Sequence, residues 1–253
     1  MEINTLNKRN TVVQSYSLNT AKYNLGAVAM DIVFILIAQI KIEDKDFLKY
    51  HINLTDLELK MGRKITRNEA YLDSLSDELL LNTIKIKNGT RVTKFAWCSS
   101  FEYDSNEGWI NIMLDPHLKD YLIDLKKQFV QTDLKYLLNI KGSYTKRIYL
   151  LLKQNAFRGK VIFNVNELRE MLDVPKSLRV KYSDFKKRVI TNAIKEINKE
   201  TDIIVNCKEL KVGRSVKDLN FSIKTIVKKK ELIETEVNKF GVNAAEEWLK
   251  KED

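Results

Sequence analysis

The same order of secondary-structure signals occurs twice along the chain, and this repetition constrains the fold more than any other sequence feature. The runs Leu54-Thr55-Asp56-Leu57 and Val165-Asn166-Glu167-Leu168 lie 111 residues apart and match position by position. Each has an apolar residue, a capping side chain, an acid in the first turn and a Leu at a core position. We therefore expect two copies of one small domain, for which 253 residues are sufficient.

The patterns around the two runs predict the same elements in both halves. In the first half we expect a helix from Asn19 to about Ile40, a strand at Tyr50–Asn53, a short helix capped by Thr55 and ended by Gly62, a second helix from Thr66 to about Leu80, and strands at Asn82–Lys87, Val92–Trp97 and Trp109–Leu114. In the second half we expect a helix capped by Ser143, a strand at Val161–Phe163, a short helix capped by Asn166, a longer helix over Ser183–Thr201, and a hairpin of Ile203–Val205 with Leu219–Ile226.

Helix, strand, short helix, second helix and hairpin, in this order, make a winged helix. The sequence thus predicts an α+β, mostly helical fold of two tandem winged-helix domains related by pseudo-symmetry. We expect the first domain at 1–131, the second at 132–227, and a C-terminal tail with a helix-like pattern at 228–253.

The few cysteines and histidines exclude several classes of enzyme. Cys98 and Cys207 lie 109 residues apart, which is neither a disulfide framework nor a zinc knuckle. His51 and His117 are the only histidines and are 66 residues apart, so a closely spaced metal-binding pair of a DNA-nicking enzyme is absent. The sequence also has no phosphate-binding loop and no dinucleotide fingerprint. We expect no catalytic residue, no metal site, no cofactor and no enzymatic activity.

The longest apolar run, at residues 25–40, is interpreted as a buried helix. It contains Asp31 and is shorter than the ~20 residues that a membrane span needs. It also begins too late for an export signal and has no cleavage-like end. With two unpaired cysteines, the protein is expected in the cytoplasm, without a membrane partner.

The positive charge is confined to the second half. Residues 1–131 have 17 basic and 17 acidic side chains, whereas residues 132–253 have 27 basic and 17 acidic ones. The segment Lys176–Lys217 alone has 12 basic residues against 5 acidic ones. A basic surface confined to one part of a folded domain indicates a polyanionic partner, although an ordinary solvated lysine-rich face stays the alternative.

The predicted helix Ser183–Thr201 has one apolar face and one basic, polar face. The side chains expected to point outward and read base edges are Lys187, Arg188, Thr191, Asn192, Lys195 and Lys199, with Asn198 beside them. Lys186 points towards the apolar side and is not expected to read bases. Lys176, Arg179 and Lys181 precede the helix and suit phosphates, and Lys211, Arg214 and Lys217 on the hairpin suit the backbone or a minor groove. In the first half, Asp73 and Asp77 face outward, so DNA contact there is expected only from Arg63, Lys64, Thr66 and Arg67. A first domain that binds another protein or is purely structural stays the alternative.

Several motifs, in a fixed order, resemble the replication initiator proteins of iteron-containing, theta-replicating bacterial plasmids. They are NKRNTVVQSYSLNTAKYNL, LTDLELKMG, SYTKRIYLLLKQ, NVNELREMLDVP, YSDFKKRVITNAIKEINKETDI and GRSVKDLNFSI, which together extend over about Lys8–Lys228. The resemblance implies two winged helices that bind direct repeats in double-stranded origin DNA, open the duplex and recruit the host replication initiator and helicase machinery. It also implies a homodimer that represses its own gene, a monomer on the repeats, and a first domain that contributes to dimerisation. A transcriptional repressor without a role in initiation is the alternative.

Overall fold

The computed structural model describes residues 5–6, 9–41, 43–123, 125 and 128–226. The expected tail at 228–253 and the arm residue Lys8 lie outside the described residues. Within the described residues, no helix combines the length and apolar character needed to cross a membrane.

Both halves begin with a strand that leads directly into a short helix. The first half has β1 (Thr11–Ser15), α1 (Tyr16–Thr20), α2 (Ala27–Gln39), β2 (Tyr50–Asn53), α3 (Leu54–Met61), α4 (Glu69–Leu81), β3 (Ile84–Asn88), β4 (Arg91–Phe95), β5 (Cys98–Asp104), β6 (Trp109–Leu114) and α5 (Lys119–Leu122). The second half has β7 (Phe129–Asp133), α6 (Leu134–Asn139), α7 (Ser143–Lys153), β8 (Lys160–Asn164), α8 (Val165–Met171), α9 (Lys176–Val180), α10 (Tyr182–Phe185), a π-helical segment (Lys186–Thr191), α11 (Asn192–Glu200), β9 (Ile203–Val212) and β10 (Ser215–Thr225).

The two halves have equivalent antiparallel sheets. In the first, the strand order is β2-β6-β5, and in the second it is β8-β10-β9. In each sheet the strand before the short helix pairs with the last strand of the half, so the β5–β6 and β9–β10 hairpins are the two wings. The structure therefore has the expected order of a winged helix twice, with α3–α4 and α8 to α11 as the helix-turn-helix units.

Strands β1 and β7 pair with each other and join the halves. Their ladder is antiparallel and centred on Val13 opposite Gln131. The expected division between residues 131 and 132 falls inside β7, and that division stays a prediction. The pairing shows that the first strands of the two halves form one shared ribbon.

The short helices begin at equivalent residues, but their caps differ from the expected ones. Asn53 and Asn164 cap α3 and α8 by accepting hydrogen bonds from backbone N–H groups, so the prediction of Thr55 and Asn166 as caps was wrong. The caps are the last residues of β2 and β8, because each strand runs into its helix without a loop. The stop at Gly62 is confirmed, since this residue has φ +64°, a left-handed conformation that glycine adopts without strain.

The expected helix start at Asn19 was also wrong. Asn19 is buried within α1, where its side chain bonds Gln14 and Gln154, and the long helix begins only at Ala27. The carboxylate of Glu78 accepts a hydrogen bond from the N–H of Gly26 at that start. The interpretation of residues 25–40 as a buried helix is confirmed, because α2 is enclosed on nearly all sides.

A buried charged cluster joins α2 of the first half to α7 of the second. Asp31 is fully buried, its carboxylate lies 2.6 Å from the Nζ of Lys146, and it also pairs with Arg63. Burial raises the pKa of Asp31 and lowers the pKa of Lys146, against their mutual attraction. Lys146 also donates to the carbonyl oxygens of Leu137 and Ile140.

Arg147 makes a second buried connection beside that cluster. Its guanidinium donates to the carbonyl oxygens of Asn19, Ala21 and Tyr23 in the first half, and to that of Met171 in the second. It also lies 3.3 Å from the centre of the Tyr23 ring. Neighbouring residues of α7 thus fix the two domains against each other.

Candidate nucleic-acid interface

Residues 182–200 form one continuous helical stretch that packs on the second sheet with a single face. Phe185, Val189, Ile190, Ala193 and Ile197 are buried on that face. This set agrees with the apolar face expected from the sequence. The opposite side of the stretch is exposed among the described residues.

A π-helical segment lies in the middle of this stretch, at Lys186–Thr191. At its start, the Nζ of Lys186 lies 2.7 Å from the carboxylate of Glu209 on β9, which also accepts a 2.8 Å hydrogen bond from the hydroxyl of Tyr182. The bond from Lys186 is the main reason that the pKa of Glu209 lies below its usual value. Lys186 therefore holds the helix on the wing strand, in agreement with its expected exclusion from base reading. No local sequence pattern predicts the π-helical segment.

The structure brings the predicted base-reading residues together on one exposed face. Lys187, Arg188, Thr191, Asn192, Lys195 and Lys199 are all exposed. Within the part of the chain that the structure describes, no carboxylate pairs with Lys187, Arg188 or Lys195. Lys199 pairs with Glu200 at 2.9 Å, and this contact raises the pKa of Lys199. The three unpaired cations thus lie upstream of Lys199 on the same face.

Asn198 belongs to the packed side of the helix, and its expected outward direction was wrong. Its amide donates to the carbonyl oxygen of Val205 at 3.0 Å, and its oxygen accepts from the N–H of Val205 at 2.7 Å. This pair of bonds attaches the end of α11 to the start of β9. Asn198 is therefore occupied by the protein's own backbone.

The basic residues before the helix and on the wing are also at the surface. Lys176, Lys181, Lys211, Arg214 and Lys217 are exposed. Arg179 is partly committed to the fold, because its Nε donates to the carbonyl oxygen of Val174 at 2.7 Å and its guanidinium lies 3.6 Å from Asp173. The wing turns at Gly213, whose φ is +60°, and this brings Lys211 and Arg214 to its tip.

In the first domain, three of the cations predicted to contact DNA already form ion pairs with carboxylates of the protein itself. Arg63 pairs with the buried Asp31, while Lys64 and Arg67 lie 3.2 Å and 2.5 Å from the carboxylate of Glu58. The hydrogen bond from Arg67 is the main reason that the pKa of Glu58 falls to about 2, with a further bond from the backbone N–H of Ile65. Thr66 is exposed beside them. The predicted role of these four residues in DNA contact stays a prediction, and three of them already have acidic partners.

The rest of the first helix-turn-helix and its wing are acidic. Glu69, Asp73 and Asp77 are exposed on α4, as are Glu102 and Glu107 on the β5–β6 wing. This surface repels phosphate. Among the described residues, no group of three or more His, Cys, Asp or Glu side chains is arranged to hold a metal ion.

The comparisons with known proteins agree with this arrangement. Residues 11–153 match the family described as "Initiator Replication protein, WH1", and residues 164–223 match the family described as "Initiator Rep protein, WH2". Among solved structures, the chain is similar to "Crystal structure of Pi initiator protein in complex with iteron DNA". That similarity has a TM-score of 0.69 and 20% sequence identity, and covers 88% of this chain and 99% of the other.

The fold and its exposed basic helix define a tandem winged-helix protein of the DNA-binding class. The first family match alone covers more than half of the sequence. The chain therefore belongs to the family of initiator replication proteins with two winged helices, WH1 and WH2. The expected fold class and the resemblance to plasmid replication initiators are both confirmed.

Proposed function

We propose that this protein starts plasmid replication by binding direct repeats, or iterons, in double-stranded origin DNA. The observation that carries the proposal is the exposed face of helix 182–200, where Arg188 and Asn192 lie beside Lys187 and Lys195, which have no carboxylate partner in the part of the chain that the structure describes. Arg is suited to guanine and Asn to adenine in the major groove. The likeness of the fold to the Pi initiator protein, which was solved with iteron DNA, supports the same assignment.

In this proposal the second domain reads bases and its surroundings hold phosphates. The residues assigned to DNA are Lys176, Arg179, Lys181, Lys187, Arg188, Thr191, Asn192, Lys195, Lys199, Lys211, Arg214 and Lys217, with Arg63, Lys64, Thr66 and Arg67 as a secondary set. Of these, Arg63 is the weakest candidate, because its guanidinium already pairs with the buried Asp31. Binding occurs in the cytoplasm, where plasmid DNA resides.

The later steps of initiation belong to the proposal as well. Bound copies distort and open the neighbouring duplex, and recruit the host replication initiator and helicase machinery. A monomer acts on the repeats, whereas a homodimer represses the protein's own gene. The protein has no catalytic step of its own in this scheme, so it acts through cooperative DNA binding and partner recruitment.

A footprint on the DNA that flanks the protein's own gene tests the proposal. We expect regularly spaced protected sites in one orientation, with distorted DNA beside them, in moderate salt with competitor DNA. A single inverted site at the promoter would instead identify a repressor without a role in initiation. A covalent protein–DNA adduct on supercoiled origin DNA with divalent metal would identify a nicking enzyme and contradict the proposal.

A further inference from the structure

The first domain contains a β-hairpin that is not part of its wing. Because β6 pairs with β2 and β5 pairs with β6, the β5–β6 hairpin is the wing, and β3 with β4 forms a separate two-stranded ribbon. The ribbon turns at Gly89, whose φ is +61°, and Asn88 pairs with Arg91 across the turn. The ribbon is therefore an addition to the strands that make up the winged-helix sheet.

One face of the ribbon holds the domain together and the other is basic. Ile84, Ile86 and Phe95 are buried, and the alternation along the strands places Lys85, Lys87 and Lys94 on the opposite face. Arg91 is exposed near the turn, and residues 84–95 include no acid. Within the described part of the chain, none of these four cations pairs with a carboxylate.

The ribbon keeps two like charges directly opposite each other. Lys85 and Lys94 are cross-strand partners in the ladder. Like charges at such positions destabilise a sheet, so the fold gains nothing from them in the free protein. A polyanion placed across this face would remove the repulsion and gain from all three lysines.

A short series of contacts connects the ribbon to the basic connector of the second domain. Lys22 and Lys85 exchange two backbone hydrogen bonds of 2.9 Å. The Nζ of Lys22 lies 3.2 Å from Asp173, and Asp173 lies 3.6 Å from the guanidinium of Arg179. The base of the ribbon is thus adjacent to the turn that leads into Lys176 and helix 182–200.

The remainder of the first domain offers less to an anion. Arg63, Lys64 and Arg67 have internal acidic partners, and the outward faces of α4 and the β5–β6 wing are acidic. Lys87, Arg91 and Lys94 of the ribbon are exposed, Lys85 is half-buried, and all four lack a carboxylate partner among the described residues. Their position next to the second domain's basic surface favours the same ligand.

We propose that the β3–β4 ribbon binds the phosphate backbone of the duplex whose bases helix 182–200 reads. Lys85, Lys87 and Lys94 contact phosphates from the outer face and Arg91 from the tip, without reading sequence. This inference rests on the proposed function, because it assigns a further contact to the same DNA. It gives the first domain a further contact with DNA, although the outward faces of its α4 helix and its β5–β6 wing are acidic.

The test compares two double variants of the full-length protein. Lys87→Gln/Lys94→Gln removes two of the three lysine charges on the outer face of the ribbon. Lys160→Gln/Lys224→Gln is the matched control, because these exposed lysines lie at the end of the second sheet far from the wing tip. Binding to a duplex from the region flanking the protein's own gene, and to a random duplex of equal length, is measured at several salt concentrations. Circular dichroism checks that both variants fold.

We expect the ribbon variant to lose two phosphate contacts. Its salt slope, d log K/d log[salt], should fall in magnitude by about 1.8, which corresponds to about 30-fold weaker binding at 0.15 M salt. Its preference for the specific duplex over the random one should stay unchanged, and the control should retain the wild-type slope. A ribbon variant that matches the control in affinity and salt slope overturns the inference. It would indicate that the basic face of the ribbon binds an acidic protein partner instead of DNA. A changed preference for the specific duplex overturns it too, since phosphate contacts read no bases. Failure of the proposed function is a separate result: the wild-type protein itself would then bind both duplexes equally.

Discussion

Asp31 connects the two domains from inside the protein, and replacing it with Asn measures how firmly they are held. The substitution keeps the shape of the side chain and removes its charge. Lys146 is then left without its carboxylate in a fully buried position, whereas Arg63, with about a fifth of its side chain exposed, can turn to water. The loss of stability therefore comes mainly from the uncompensated charge of Lys146.

Removal of one partner from a buried ion pair costs about 3–5 kcal/mol. Lys146 keeps its hydrogen bonds to the carbonyl oxygens of Leu137 and Ile140, so we expect a value near the lower end, about 3 kcal/mol. Urea unfolding, followed by circular dichroism and by tryptophan fluorescence, measures this loss. Asp77→Asn is the control, because Asp77 is exposed on α4, and we expect its effect to stay within about 0.5 kcal/mol.

A double-mutant cycle shows whether the charges act on each other. Asp31→Asn combined with Lys146→Met removes both members of the pair and should cost at least about 1 kcal/mol less than the sum of the single changes. A cost below about 1 kcal/mol for Asp31→Asn alone would refute the reasoning. It would mean that burial keeps this carboxyl protonated at neutral pH, because Asn closely resembles the neutral acid.

Three further outcomes follow from the same geometry. Glu58→Gln should destabilise the protein at neutral pH. The difference in stability from wild type should shrink as the pH falls from about 4.5 to about 2, because the pKa of Glu58 is lowered to about 2 and its stabilising contribution is lost on protonation. Urea midpoints across this pH range measure the difference, and a difference that does not change with pH would contradict the stabilising role of the Glu58 carboxylate. Lys176→Ala should weaken binding to all duplexes alike and reduce the salt slope by about 0.9, and a selective loss on the specific duplex would contradict the phosphate role. Asn198→Ala should cost about 1–3 kcal/mol in unfolding experiments because it leaves the backbone of Val205 without its partners, and base preference should not change.

The order of the elements was readable from the sequence because it depends on local patterns. The strands at Tyr50–Asn53 and Trp109–Leu114 and the stop at Gly62 appear where the sequence predicts them. The caps were assigned two residues late in both halves, at Thr55 and Asn166. The reason is that in both halves the strand continues directly into the helix without a loop, and no local sequence pattern predicts this.

Other features depend on contacts between distant residues and were not predictable. Strand β5, Cys98–Asp104, reads as a polar run, and it is a strand because it pairs with β6 to make the wing. Lys146 and Arg147 look like surface residues of a helix, yet they are buried between the domains. Their partners lie more than 100 residues away in the chain or are backbone carbonyls, which carry no sequence signal.

The features of the candidate site also divide into those that the sequence predicts and those that depend on contacts between distant residues. The exposed face of helix 182–200 follows from helical periodicity, and six predicted residues lie on it. The attachment of Asn198 to Val205 and the internal pairing of Arg63, Lys64 and Arg67 required the fold, since their partners come from other elements. The basic ribbon was visible as a hairpin, but only the sheet pairing separates it from the wing.

The central claim is that helix 182–200 reads bases while the residues around it hold phosphates. The most direct test measures the affinity of Arg188→Ala, Asn192→Ala and Lys176→Ala for a specific and a random duplex at fixed salt. We predict that Arg188→Ala and Asn192→Ala each lose about 1–3 kcal/mol on the specific duplex and relax base preference there, while Lys176→Ala weakens both duplexes equally. Equal losses on both duplexes for all three variants would contradict the account and place base reading on another element.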